Sequence, residues 1–519
     1  MLAPVYAALV GVFVYAVAQS YVPGKGFSAL ITFGGKTAAD RLAAMNELDY
    51  YLVRDAVGYD GQYYAQIAMA PSLRDPQLRT AVDSLPYRAR RILFSWTAFV
   101  LGFGRPAWIL QAFALQNALC WLALAAVLLR WFPPDNASNL LRWAGVLFSY
   151  GLCVSVRNSL VDGPSLLLIA LGVWAVEKNR PWLATGIFAL GGLGKETNVL
   201  GAAALARPAE SGLRGWLAPA GRALVVAAPL ALWLLYLRHR DFGPVVDVGA
   251  RNFDWPFAAY AQTWRATLAD VARQDTVVGA SGNLLILVAL TVQWLFLVLR
   301  PQPAAAWWRA GLPFALLMVV LGGAVWEGYP GAAARVLVTM QLAFNVLVPR
   351  GRAWMAVLVL GNLSLLTAPD ALKPPTGDGY RFSGPARLIV APDGAGAGVE
   401  FDAAWFAAEG HHENTWHWSR GDGTLVIVNP QKFPVTARVT FMLRSITPRT
   451  VRVRRGAGED LWRGAVGAAP TPVEFGPLTL APGPNAVEFT TDQPAARAAN
   501  GDARPLAFSV AKLVIELHQ

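Results

Sequence analysis

The sequence predicts an α-helical polytopic membrane domain of about eleven membrane segments followed by a C-terminal all-β sandwich. Three observations lead there. Over 519 residues the chain is 55% hydrophobic and only 15% charged, with a positive mean hydropathy. Its apolar residues run in blocks instead of the spaced stripes of a soluble helix. After Leu366 the blocks stop, and short alternating stretches separated by Pro- and Gly-rich turns take over.

The membrane domain is read over residues 1–368. Its first segment, residues 1–22, contains Ala16-Val17-Ala18, which imitates a signal-peptidase site, but it lacks a basic leader region and is expected to be a membrane helix. Further apolar runs lie at 106–130, 141–157, 163–178, 181–194, 195–206, 222–238, 282–299, 310–326, 331–348 and 353–368. Several fall short of the roughly 20 residues a straight crossing needs. The pair 181–194 and 195–206 therefore either crosses or dips in and turns back around Gly194-Lys195-Glu196-Thr197.

Orientation follows from the connections. Arg130 with Arg142, Lys178 with Arg180, Arg207 with Arg214 and Arg222, Arg300 with Arg309, and Arg350 with Arg352 alternate with connections poor in Lys and Arg. The basic ones are expected in the cytoplasm, so that loops 23–105, 158–163, 239–281 and 327–331, with everything after residue 368, lie outside. Within loop 23–105, residues 38–57 are expected to form a helix lying on the membrane. Residues 92–104 are too short to span and are expected to lie in or dip into the interface.

The β sandwich is read over residues 369–519, with strands at 424–428, 435–443, 450–454, 473–475, 487–490 and 506–517. The formal charge of +11 comes from basic residues scattered singly between apolar runs. That pattern suits topology and anionic headgroups of membrane lipids and argues against nucleic acid. Cys120 and Cys153 fall within apolar segments and read as core fillers, not a disulfide. No Walker, Rossmann, zincin or nucleophile-elbow pattern appears.

The stretch richest in chemistry is Gly58-Tyr59-Asp60-Gly61-Gln62-Tyr63-Tyr64 in loop 23–105. Tyr-Asp-Gly is ordinary turn chemistry. Here the turn also carries Gln62, Tyr63 and Tyr64, groups able to grip a polyhydroxylated ligand beside a carboxylate. This stretch, followed by Tyr87-Arg88-Ala89-Arg90-Arg91-Ile92-Leu93, resembles the first outer loop of the bacterial branch of the GT-C superfamily, multi-spanning glycosyltransferases that take sugars from polyprenyl-phosphate donors. The resemblance covers about residues 1–368. It implies a GT-C-like membrane domain in the bacterial inner (cytoplasmic) membrane, and a glycan or glycolipid acceptor on the extracytoplasmic side. It also implies Asp60 as the catalytic base of an inverting transfer. The paired acidic motif of some members is absent, since Gly61-Gln62 follow Asp60, so a divalent metal is compatible but not indicated and no other cofactor is called for.

The chemistry suits these residue types. An acceptor hydroxyl attacking an anomeric carbon needs a base, and the departing lipid phosphate needs cations. Arg88 and Arg91 are candidates for the phosphate, and Tyr59, Gln62 and Tyr64 for the sugar. The plain alternative for the arginines is a headgroup-anchored helix end. Lys195-Glu196 lies between apolar runs, where an unpaired charge costs roughly 2.5–3.5 kcal/mol. The two either pair with each other or another helix, or Lys195 meets the donor phosphate. Asp162, near Arg157 and Asn158, either caps the helix beginning near Pro164 or belongs to the site. Glu327 with Gly328-Tyr329-Pro330, and Arg335 just inside the next segment, form another outer polar cluster. Arg335 there either pairs with Glu327 or faces a cavity open to the outside. In the β region, His411-His412 lack further metal ligands at suitable spacing, and Trp416 and Trp418 share one strand face, as core or as a sugar-stacking surface. Two other classes fit the letters: a transporter or flippase for a lipid-linked glycan, and an envelope assembly factor.

Overall fold

The computed structural model describes residues 2–22, 24–53, 57–206, 213–240, 250–273, 277–327, 331–374, 380–392, 396–411, 414–456, 459–497 and 504–519. The chain divides into two compact units, Met1–Lys373 and Pro374–Gln519.

The first unit is helical. Among the described residues three helices are long and apolar enough to cross a membrane: Pro106–Leu128, Ala220–His239 and Ser281–Leu299. Two bent pairs, Ala137–Leu147 with Tyr150–Arg157 and Arg352–Leu360 with Leu363–Ala371, each turn by 43° and add two crossings if each pair is one span. Shorter apolar helices run over Ala3–Ala18, Pro181–Gly194, Ala306–Val320 and Val338–Leu347. Against about eleven expected segments, three to five reach spanning length.

The shortfall has local causes. Run 141–157 breaks at Phe148-Ser149. Run 353–368 breaks at Gly361, whose missing Cβ leaves room for the Phe344 ring. Run 331–348 breaks at Leu337 between the helices Gly331–Val336 and Val338–Leu347. Run 195–206 is a 3₁₀ stretch, Glu196–Leu205, and at about 2 Å of rise per residue it falls well short of a bilayer core.

Helix ends follow the sequence. Pro106 and Pro181 sit in first turns, and the Asn136 side chain accepts from the Asn139 amide at 2.9 Å to cap Ala137–Leu147. Buried amides tie the helices together. Asn345 and Asn362 exchange hydrogen bonds of 3.0 and 2.8 Å, and Gln341 donates to the Gly145 carbonyl at 2.7 Å. Arg142, counted above among the cytoplasmic cations, is buried in helix Ala137–Leu147 and donates to the carbonyls of Asn345 and Pro349.

Loop 23–105 departs from expectation over residues 38–57. Instead of one surface helix it holds a 3₁₀ turn, Gly35–Asp40, a single helical turn, Ala43–Asn46, and a strand, Leu52–Val53, paired in parallel with Phe33–Gly34. The tertiary partner outweighs local propensity here: Arg41 donates to the Tyr50 hydroxyl and to the Gly34 carbonyl, drawing the segment into a compact turn. Within 92–104 a nine-residue helix, Leu93–Leu101, packs against Pro106–Leu128 and leaves Val100, Leu101 and Phe103 exposed.

The second unit is a sandwich of two sheets. The five-stranded sheet has the spatial order Glu459–Val466, Arg449–Arg455, Gly483–Thr491, Gly423–Asn429, Gly398–Phe401. The other is ordered Thr471–Leu480, Val435–Ser445, Phe508–His518, Asn414–Trp418, Glu409–His411, with Tyr380–Ser383 parallel to Phe508–His518. Alternate residues of both sheets, among them Ile427, Val453 and Phe489 from one and Val439, Phe441 and Ile515 from the other, fill a common core. The strand expected at 473–475 extends over Thr471–Leu480. Trp405 lies in that core. His417 pairs across the ladder with core residue Val510 and stacks on Phe401, so Trp416 and Trp418 face the other way, with the Arg444 guanidinium 5.4 and 5.3 Å from their rings. His412 lies outside the described residues.

Candidate functional site

Two glycines set the geometry of the 58–64 stretch. Gly58 has φ +81°, and a Cβ there would lie 2.6 Å from the Gly34 amide nitrogen. At Gly61 a Cβ would lie 2.2 Å from the Asn158 carbonyl oxygen. The first therefore permits the turn, and the second lets the start of helix Gly61–Met69 press against the 158–162 connection. Thr32 Oγ1 adds a 3.0 Å hydrogen bond to Asn158 Oδ1, and its carbonyl accepts from the Tyr59 amide at 3.0 Å. Loop 23–105 and the 158–162 connection thus share one face of the unit.

Asp60 precedes that helix without capping it. Its Oδ1 accepts from Arg88 Nη2 at 3.0 Å, while Oδ2 has no hydrogen-bond partner among the described residues. The side chain is 33% exposed. Arg88 also grips Asp83 through two bonds, Nε to Oδ1 at 3.0 Å and Nη2 to Oδ2 at 2.7 Å. Burial works against the charge on Arg88, but the Asp83 hydrogen bond, Tyr64, Asp60 and the Asp83 charge outweigh it and raise the guanidinium pKa.

The second knot is Arg91. It donates to Glu196 Oε2 at 2.9 Å, to the Tyr64 hydroxyl at 2.9 Å and to the Tyr87 hydroxyl at 3.2 Å. Burial raises the Tyr64 pKa, keeping the hydroxyl neutral. The third is Asp162. Lys195 Nζ lies 2.6 Å from its Oδ1 and Arg335 Nη1 lies 3.2 Å from its Oδ2. Arg335 Nη2 reaches the Tyr59 hydroxyl at 3.5 Å, and its guanidinium sits 5.6 Å from that ring. Tyr59 therefore links the third knot to Asp60.

The network holds four cations, Arg88, Arg91, Lys195 and Arg335, and four carboxylates, Asp60, Asp83, Asp162 and Glu196. They balance in sum but not in place. Arg88 serves two carboxylates, Arg91 and Glu196 cancel, and Asp162 serves two cations. One end of the site is locally acidic and the other locally basic. An incoming anion would meet two cations beside Lys195 and Arg335, and an incoming hydrogen-bond donor would meet the open Oδ2 of Asp60.

Nine of the eleven residues singled out in the sequence meet in this network: Tyr59, Asp60, Tyr64, Arg88, Arg91, Asp162, Lys195, Glu196 and Arg335. Two do not. Gln62 is buried framework: its Oε1 accepts from the Gly34 amide and the Thr37 hydroxyl, each at 3.2 Å, and its Nε2 donates to the Val57 carbonyl at 2.8 Å. Glu327 is exposed and pairs with Arg251 at 2.6 Å, not with Arg335, and residues 328–330 of its cluster lie outside the described residues. Of the plain alternatives, pairing with another element holds for both members of the 195–196 pair: Lys195 meets Asp162 at the start of helix Asp162–Glu177 and Glu196 meets Arg91, while the two do not pair with each other. Asp162 makes no cap. Arg157 donates to the Lys373 carbonyl.

Asp83 and Tyr87 are members that sequence reasoning missed. A signal existed in Asp83-Ser84-Leu85-Pro86-Tyr87-Arg88, where Pro86 in the first turn of helix Leu85–Arg88 brings the acid back toward the arginine. Among the described residues no three His, Cys, Asp or Glu side chains converge as a metal would require.

No protein-family model matches the chain, and no curated protein matches it. Among solved structures it is matched with the single-particle cryo-EM structure of the arabinosyltransferase EmbB from Mycobacterium smegmatis, at 12% identity and a TM-score of 0.29. The match covers 99% of this chain and 64% of that one. At that score the likeness transfers no residue roles.

Proposed function

We propose that the chain is a membrane glycosyltransferase that moves a sugar from a polyprenyl-phosphate-linked donor to an extracytoplasmic glycan or glycolipid. The observation that carries the proposal is the uneven charge arrangement, with a one-third exposed carboxylate at one end, one of its oxygens unbonded among the described residues, and two cations sharing one carboxylate at the other. In this reading the donor phosphate docks at Lys195 and Arg335, partly displacing Asp162 as their counter-ion. The acceptor hydroxyl lies against Asp60, which takes its proton as the oxygen attacks the anomeric carbon. The bond from that carbon to the phosphate oxygen breaks, its electron pair leaves with the phosphate, and Lys195 and Arg335 neutralise the charge that develops. A single displacement inverts the anomeric centre.

Arg88 and Arg91, first considered for the phosphate, are saturated by Asp83, Asp60 and Glu196. Arg88 orients Asp60, and Arg91 holds Tyr64 and Tyr87 beside the sugar. The reading puts the network at the outer face of a bacterial inner membrane, with the β sandwich on the same side. Incubating the purified protein with a panel of polyprenyl-phosphate sugars tests it. Release of free lipid phosphate that depends on both acceptor and Asp60 is the expected result, and unimpaired release by Asp60→Asn sinks the mechanism.

A further inference from the structure

A second basic site lies apart from this network. A cavity of about 310 Å³ is lined by Arg74, Arg79, His239 and Arg240, with Asp75 and Leu85 completing much of its wall. Three arginines and one carboxylate line it, so the lining carries a net positive charge; Asp75 Oδ1 accepts from the Gln77 amide at 2.9 Å. The Arg240 guanidinium is fixed by donating through Nη2 to the Leu73 carbonyl at 3.1 Å.

The depth of the cavity is set by the helix that ends in it. Ala220–His239 is apolar, and only 11% of its most hydrophobic window is buried inside the protein. Leu224, Leu232 and Leu235 are each more than half exposed, the surface expected of a helix that faces lipid tails. One to two turns before the cavity the helix carries an aromatic cluster. Trp233 stacks on Tyr236 at 5.0 Å and meets Trp96 edge-on at 5.1 Å, while Trp233 Nε1 donates to the Ala89 carbonyl at 2.8 Å. Indole and phenol rings with one polar edge satisfied mark the boundary between tails and headgroups. His239 and Arg240 follow at headgroup height.

We infer that this cavity binds the phosphate headgroup of an anionic membrane lipid whose tails lie along the exposed face of Ala220–His239. Basic side chains at that depth gather anionic lipids by charge, and a fixed guanidinium gives the phosphate a directed partner. The site uses none of the residues assigned to sugar transfer and stands independently of that function.

The test is native mass spectrometry of the full chain released from nanodiscs of phosphatidylcholine containing a minor share of phosphatidylglycerol. Wild type should retain phosphatidylglycerol in clear excess over its share. R74Q/R79Q/R240Q should lose that preference by about tenfold or more, R240K should keep most of it, and Asp60→Asn should retain lipid like wild type. Excess inorganic phosphate should not displace the lipid. Retention by wild type in proportion to supply overturns the inference whether or not the triple variant folds. So does an undiminished preference in a folded triple variant, or displacement of the lipid by inorganic phosphate alone. Lipid retention involves no sugar transfer, so this outcome and that of the transferase assay are read separately.

Discussion

At one end of the charged network a single carboxylate, Asp162, holds two cations; at the other a single guanidinium, Arg88, holds two carboxylates. The ends differ in solvent as well as in sign. The Asp162 side chain is 4% exposed and that of Asp60 33%. A buried carboxylate with two partners acts as a fixed counter-ion, whereas a one-third exposed one with an oxygen to spare can accept a hydrogen bond from something that arrives. The difference teaches where an anion and where a hydrogen-bond donor would find a partner, which neither the total charge nor the list of residues reveals.

The largest effect we expect falls on the acidic end. Asp60→Asn should lower the transfer rate by about 10²–10⁴-fold while changing stability by no more than about 1 kcal/mol, because Arg88 keeps its two bonds to Asp83. Single-turnover assays and thermal unfolding measure the two. A large loss of stability would show that Asp60 is structural and erase the contrast between the ends. Next is the basic end. Asp162→Asn leaves Lys195 and Arg335 without a buried counter-ion and should destabilise the protein by about 3–5 kcal/mol. Adding Lys195→Met should recover part of that stability but not donor affinity. Unfolding and donor binding measured on the same two variants would separate counter-ion from ligand.

A smaller loss is expected in the neutral middle. Arg91→Lys keeps the charge but cannot donate in fixed directions to Glu196, Tyr64 and Tyr87 together, and should cost about 1–2 kcal/mol of stability with a moderate rise in KM. The smallest effect should come from Glu327→Gln. It breaks an ion pair whose side chains are 64% and 74% exposed, and should change stability by less than about 1 kcal/mol and leave activity within about twofold. A strong defect there would extend the site to the Arg251 side and require its edges to be redrawn.

The residues of the charged network were largely legible in the sequence because charge in an apolar chain is conspicuous. Lys195 and Glu196 stand out between apolar runs, and Asp60 stands out among tyrosines. Their partners were not legible. Lys195 and Glu196 are neighbours, and the letters left pairing with each other or with another helix equally open; each reaches a different knot, Lys195 at Asp162 and Glu196 at Arg91. Gln62 read as a ligand-facing amide because it stands between Asp60 and two tyrosines, yet it is buried and bonded to Gly34, Thr37 and Val57 of the loop that carries it. The length of each segment was not legible for a related reason. Hydropathy sees that residues 331–348 are apolar, but not that the backbone breaks at Leu337.

What the letters settle alone is the division of the chain and its solvent: apolar blocks that lose less in lipid than in water, then alternating strands that bury one face. These are sums over neighbouring residues, and no distant contact can reverse them. What only the tertiary structure decides is which charge meets which. Asp60 finds Arg88 across 28 positions, Arg91 finds Glu196 across 105, and Asp162 finds Arg335 across 173. Ion pairing reaches only a few ångströms, so partners that far apart in sequence are chosen by the path of the backbone between them.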